Sequence, residues 1–247
     1  MKNRNKFFKF FCFSICLFFS CGLDVITYIE PPEDFHHRPE VYDEIFNIDY
    51  ENRYFEFATN ESENINTPEF RGTDVYYKIY NNYSKMLSER TYLENLSNDD
   101  DAGTKPQDEL VKRYSLLNNR EPLISNSKKN KNVLIRLTDY QVSNYQEALK
   151  QDQVRNAARI MINNEFYSLP VRVDGKSTFN FGRDGENDNV PKDGDVDVNY
   201  DSTTTEEGIW YVCMFAVGVG TEVTLDPVYS NILYLGTVAI DANSYNN

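Results

Sequence analysis

The densest set of groups able to do chemistry lies in "RDGENDNVPKDGDVDVNYD", residues 183–201, where seven carboxylates (Asp184, Glu186, Asp188, Asp193, Asp195, Asp197 and Asp201) stand against Arg183 and Lys192. Spaced carboxylates among turn residues can wrap Ca2+, a hard cation that takes about six to eight oxygens. Asp193, Asp195 and Asp197 are the candidate ligands. The register departs from an EF-hand: counted from Asp193, Val198 falls where the loop needs Gly and Thr204 where it needs a bidentate Glu. The competing and favoured reading is an acidic surface hairpin whose Asp, Asn and Gly make turns. It puts Asp195, Asp197 and Asn199 on the solvent face of a strand beside Val196 and Val198.

The remaining chemistry is sparse. The two histidines, His36 and His37, are adjacent in Pro-rich sequence; neighbours in extended chain point to opposite sides, which suits linker residues better than a metal site. Cys213 sits in the apolar run "GIWYVCMFAVGVG" with no cationic neighbour in sequence, as a small buried hydrophobe does. There is no G-x-S-x-G, H-E-x-x-H or P-loop, and "GVGTEV" is an incomplete G-x-G-x-x-G. A carboxylate pair of the glycosidase kind stays open, although 39 acidic residues make some pairing inevitable.

The elements that must carry these groups read as mainly β. "RYFEFAT" puts Phe55 and Phe57 on one face, and "TDVYYKIY" sets Val75, Tyr77 and Ile79 against Asp74, Tyr76, Lys78 and Tyr80, as half-buried antiparallel strands do. Tyr76 and Tyr80 then form either an exposed contact surface or, as favoured, a row packed under a helix. Further strands are expected at Val133–Leu137, around Val171 and Val173, and around Phe179 and Phe181. Residues 209–217 and 231–240 are apolar on both faces, as central strands are. Helical spacing marks 107–119, 84–97 and 142–161, while 97–107 and 118–132 read as polar loops.

The N-terminus explains where the chain goes. Lys2, Arg4, Lys6 and Lys9 precede "FFCFSICLFF", an apolar run of ten residues. Crossing a bilayer core takes about 20 helical residues. Ser20-Cys21 fits cleavage immediately before a cysteine that receives acyl chains, better than an ordinary secretory site, because Phe18 at −3 is large. The expectation is a lipoprotein signal peptide over 1–20 and a mature chain of 21–247 tethered at Cys21. Gly22, rather than Asp, after the cysteine points toward an outer membrane. Removing four basic residues takes the formal charge from −14 to −18 (21 basic, 39 acidic), which disfavours nucleic acid and anionic surfaces. With Cys21 acylated, Cys213 has no intramolecular disulfide partner.

The segments "CGLDVITYIEPP", "FEFATNES", "FRGTDVYYKIYNN" and "GIWYVCMFAVGVGTEVTLDPVYSNILYLGTV" resemble a group of uncharacterised spirochaete-type lipoproteins with an immunoglobulin or fibronectin type III-like body. The resemblance covers the two ends of the mature chain. It implies an antiparallel β-sandwich closed by a hairpin of 209–217 and 231–240 around Asp226-Pro227, with no activity attached. The expected fold is thus one elaborated β-sandwich domain over 21–247, mainly β with a helical insertion (α+β), 82–130 being that largely helical and loop insertion. The function expected is a lipid-anchored cell-envelope module that binds or scaffolds a protein or glycan partner, without a cofactor unless the acidic loop takes Ca2+. The alternative is a carboxylate-dependent enzyme acting on envelope glycans.

Overall fold

The structure is a computed structural model that describes residues 28–41, 53–67, 69–139, 157–175, 177–182, 189–205, 207–222 and 225–242. It is mainly β, with two antiparallel sheets face to face and a layer of two helices outside one of them. The first sheet has five strands in the order β1 (Glu33–His37), β2 (Phe55–Ala58), β6 (Asn132–Arg136), β7 (Arg159–Ile162), β8 (Glu165–Ser168). The second is built on β10 (Ile209–Thr221), which pairs antiparallel with β3 (Phe70–Tyr80) on one side. On its other side β10 pairs with β12 (Leu233–Asp241) and β11 (Pro227–Tyr229). The outer edge of β3 is covered in turn by β5 (Ile124–Ser125), β4 (Ser115–Leu116) and the parallel β9 (Val198–Asn199), each two residues long.

Alternation along β10 makes it the shared wall of two cores. Trp210, Val212, Met214 and Ala216 face the first sheet and pack with Val75, Tyr77 and Ile79 of β3 and with Phe55, Phe57, Val133, Ile135 and Ile160. Tyr211, Cys213, Phe215 and Val217 face the other way, with Tyr76 and Tyr80, onto Met86, Leu93 and Leu110 of α1 (Tyr83–Ser97) and α2 (Lys105–Arg113). Full burial of such a side chain is worth about 1.5–3 kcal/mol, so a strand buried on both faces contributes roughly twice what a strand buried on one face does. Local chemistry starts the helices. The Asn82 side chain accepts the Lys85 N–H at 3.1 Å, and α2 has Pro in its first turn, Asp108 near its N-terminus and Lys112 and Arg113 at its C-terminus.

Several expectations change. β3 is a central strand buried on both faces, not a half-buried one, because the helices cover its Tyr76 and Tyr80 side; the favoured expectation for these tyrosines, a row packed under a helix, holds. Helical spacing over 142–161 fails at its end, where Arg159–Ile162 is strand β7, paired with β6; residues 142–156 lie outside the described part. The helix expected over 107–119 stops at Arg113, after which Ser115 and Leu116 join β3. Loop sequence at 118–132 contains β5, and α2 begins inside the 97–107 loop, at Lys105. Around Val171 and Phe179 there is one isolated bridge, Val171 to Thr178, rather than two strands, although Phe179 and Phe181 are fully buried. His36 and His37 lie in edge strand β1, not a linker, with the His37 ring stacked on Tyr54 at 3.9 Å.

Candidate functional site

Arg172 is the centre of a polar network that the fold buries beside an open cleft. Its segment is held in place by Asn118, whose Oδ1 accepts the Val171 N–H at 2.8 Å and whose N–H donates to the Val171 carbonyl at 3.1 Å. From there the guanidinium reaches Asp197 with two arms, Nε to Oδ2 at 2.8 Å and Nη2 to Oδ1 at 2.6 Å, and Asp195 with Nη2 to Oδ2 at 2.8 Å. The Tyr77 hydroxyl donates to Asp197 Oδ2 at 2.6 Å and accepts the Val173 N–H at 2.7 Å. Asp197 is set by β9: its carbonyl accepts the Ile79 N–H at 2.9 Å, which turns its side chain inward. Arg172 and Asp197 are 4% and 1% exposed, so this is a desolvated bidentate pair of the strong kind. Burial works against the Arg172 charge, and the hydrogen bonds and charges of Asp197 and Asp195 more than offset it, raising its pKa.

Beside this pair opens a cleft of about 330 Å³ lined by Asp174, Ser177, Lys192 and Gly194 as well as the pair itself. That is the lower end of the volume range for small-molecule sites, about 300–1,000 Å³. Its carboxylates are engaged. Asp174 Oδ1 accepts the Ser177 N–H at 2.8 Å and its Oδ2 accepts the Ser177 hydroxyl at 2.5 Å, while Asp195 Oδ2 also takes the Lys192 N–H at 3.1 Å.

A second network clamps the N-terminal segment onto α1. Glu40 bridges Arg38 at 3.1 Å and Arg90 at 3.0 Å, and both guanidinium carbons lie over the Tyr234 ring, at 5.4 and 5.1 Å. These cation–π contacts fasten three separate parts of the chain.

Of the residues singled out from sequence, Asp195 and Asp197 come together and Asp193 stays apart, exposed. The expectation that Asp195 and Asp197 share a solvent face is overturned: Asp197 points inward and Val196 outward, 76% exposed, because β9 spans only Val198 and Asn199 and the preceding turn reorients the chain. The Arg172 guanidinium already sits where a cation bound by Asp195 and Asp197 would stand, so Ca2+ would have to displace it. Among the described residues no group of three or more His, Cys, Asp or Glu is placed to hold a metal. Cys213 is fully buried, and burial pushes its thiol up to about 12, as suits a packing residue. Cys21, Asp184, Glu186 and Asp188 lie outside the described residues. Sequence reading missed Arg172, whose only signal was a charge between two valines, and Asp74, which it placed on a face without assigning it any role.

No protein-family model, no curated protein and no solved structure matches this chain.

Proposed function

We propose that this chain is a lipid-anchored cell-envelope protein, tethered through acyl chains on Cys21 and acting as a binding or scaffolding module on an immunoglobulin or fibronectin type III-like sandwich. The observation that carries it is the Ser20-Cys21 junction behind a basic leader whose apolar run is only ten residues long. The resemblance to spirochaete-type lipoproteins supports the same reading, and Gly22 rather than Asp after the cysteine favours the outer membrane. Two antiparallel sheets with a common core are compatible with the sandwich class. Among the described residues no helix is long and apolar enough to cross a membrane. Stable anchoring takes two or more chains, each buried CH2 contributing about 0.8 kcal/mol.

Binding is preferred to glycan hydrolysis because the carboxylates of the Arg172 cleft are bonded to Arg172 and Ser177. Loops on a rigid scaffold commonly carry recognition, and the partner expected is a protein or a glycan. The net charge of the mature chain disfavours nucleic acid. The test is metabolic labelling of cells with radioactive palmitate, comparing wild type with Cys21→Ala. Label in the wild type alone is expected. Equal label in both proteins, or none in either, overturns the tether.

A further inference from the structure

We propose that the end of the sandwich where β3 begins and β10 finishes seats on the lipid headgroup layer through Tyr28, Ile65 and Leu225, an orientation that rests on acylation of Cys21. These three side chains are 66%, 63% and 81% exposed. They come from distant parts of the sequence, and the fold brings them to one end. Ile29, next to Tyr28, packs over Gly218 and Gly220, where an added Cβ would stand 2.8 and 2.6 Å from its side chain. Glu30 then exchanges backbone bonds with the side chain of Asn64, at 2.9 and 3.1 Å, which ties the segment that carries Ile65 to the one that carries Tyr28. Leu225 is in the turn that follows β10, whose last residue, Thr221, donates its N–H to the Glu69 carbonyl at 3.0 Å just before β3. Leu225 has φ 71°, a left-handed conformation that Gly or Asn adopts with less strain, yet the residue there is a large apolar one.

Chain length selects the occupant of this surface. From Cys21 to Tyr28 there are seven residue steps (28 − 21 = 7), which reach at most about 25 Å when fully extended. The 11 residues of β3 span about 35 Å. A leash shorter than the sheet keeps its own end of the molecule at the bilayer and holds the far end off it. Charge does not supply the attraction, since Lys128 and Lys129 share this end with Glu63, Glu69 and Glu222; apolar insertion to headgroup depth does. Of the other exposed large hydrophobics, Phe166 follows the 163–164 turn, which Asn163 bonds to Asn132 at this same end, whereas Leu169 lies beyond β8, Tyr92 on α1, and Val196 and Tyr200 beside the Arg172 cleft near the opposite end of β3. In this orientation the cleft faces away from the membrane.

The full chain, expressed with its leader, is purified in detergent and reconstituted into vesicles of phosphatidylcholine and phosphatidylglycerol whose acyl chains are brominated. A fluorophore is placed at Leu225→Cys or, separately, at Val196→Cys; Cys213 is buried and does not compete for label. The dye at 225 is expected to lose most of its emission to bromine quenching and the dye at 196 to keep it, with Tyr28→Asp/Ile65→Asp relieving the quenching at 225. Vesicle flotation reads the anchor separately. Protein that floats but is quenched equally at both positions, or not at 225, overturns the seat and leaves the tether standing. Protein that fails to float overturns both.

Discussion

Asp74 shows how one residue can set a response of the whole chain. It is fully buried in β3 opposite Val217, its Oδ1 accepts the Leu123 N–H at 3.0 Å, and its Oδ2 has no hydrogen-bond partner among the described residues. Burial pushes its carboxyl up to about 7; the Leu123 bond and Arg71 oppose this, and Glu121 adds to it, with Tyr76 and Tyr229 as its other polar neighbours. Between the unfolded value near 4 and the folded one near 7, the native state holds a proton that the unfolded chain has released. Stability therefore falls as pH rises through that window, by up to about 4 kcal/mol, and the loss is complete above it. Asp74→Asn keeps an acceptor for Leu123 and has no proton to lose. Urea midpoints at pH 5 and pH 8 should drop more for wild type than for the variant, and parallel drops would refute the assignment. The alternation in "TDVYYKIY" told which face Asp74 takes. It could not tell that helices and the 121–123 segment close that face from water.

At the scale of elements, apolar period was legible where one element meets one environment and misled where the environment changes. β2, β6 and β10 lie where their alternation or apolar run put them. Residues 157–161 carry small and apolar residues that satisfy helical spacing equally well, and pairing with β6 decided for strand: Ile160 lies opposite Ile135 in the main core. The link between the helices tests the reverse case, a segment whose sequence matters little. α1 ends at its cap Asn98 and α2 begins at Lys105, so 99–103, "DDDAG", supplies chiefly a turn, with Ala102 its one buried side chain. Replacing 99–103 by a Gly-Ser segment of equal length should cost roughly 1–2 kcal/mol, a melting shift of a few degrees. Loss of the cooperative melt in circular dichroism would show that this link is part of the core.

At the scale of the whole molecule, β10 and β12 join both cores. Truncation after Thr205 removes Val212, Met214, Ala216, Leu235, Val238 and Ile240 from one core and Tyr211, Phe215 and Tyr234 from the other. At about 1.5–3 kcal/mol for each large side chain the loss exceeds the 5–15 kcal/mol that typically holds a domain together. The 22–205 fragment should aggregate or lack a cooperative melt, and a well-folded monomer would show that the cores are independent. Both strands were expected to be central: β10 is, with β3 and β12 on its two sides, whereas β12 pairs only with β10 among the described residues and edges the sheet. That both are buried on two faces was written in the sequence, because residues apolar on both faces can be accommodated only between two layers. So were the acidity and the burial of Cys213, each a property of residues near one another in the chain. Tertiary structure alone decided that Asp197 pairs with Arg172, 25 residues away, and that Asp74 is sealed. It also decided that Tyr28, Ile65 and Leu225 share one end. A contact between distant segments depends on register and on which layer covers which face, and those are settled only when the sheets and helices pack together.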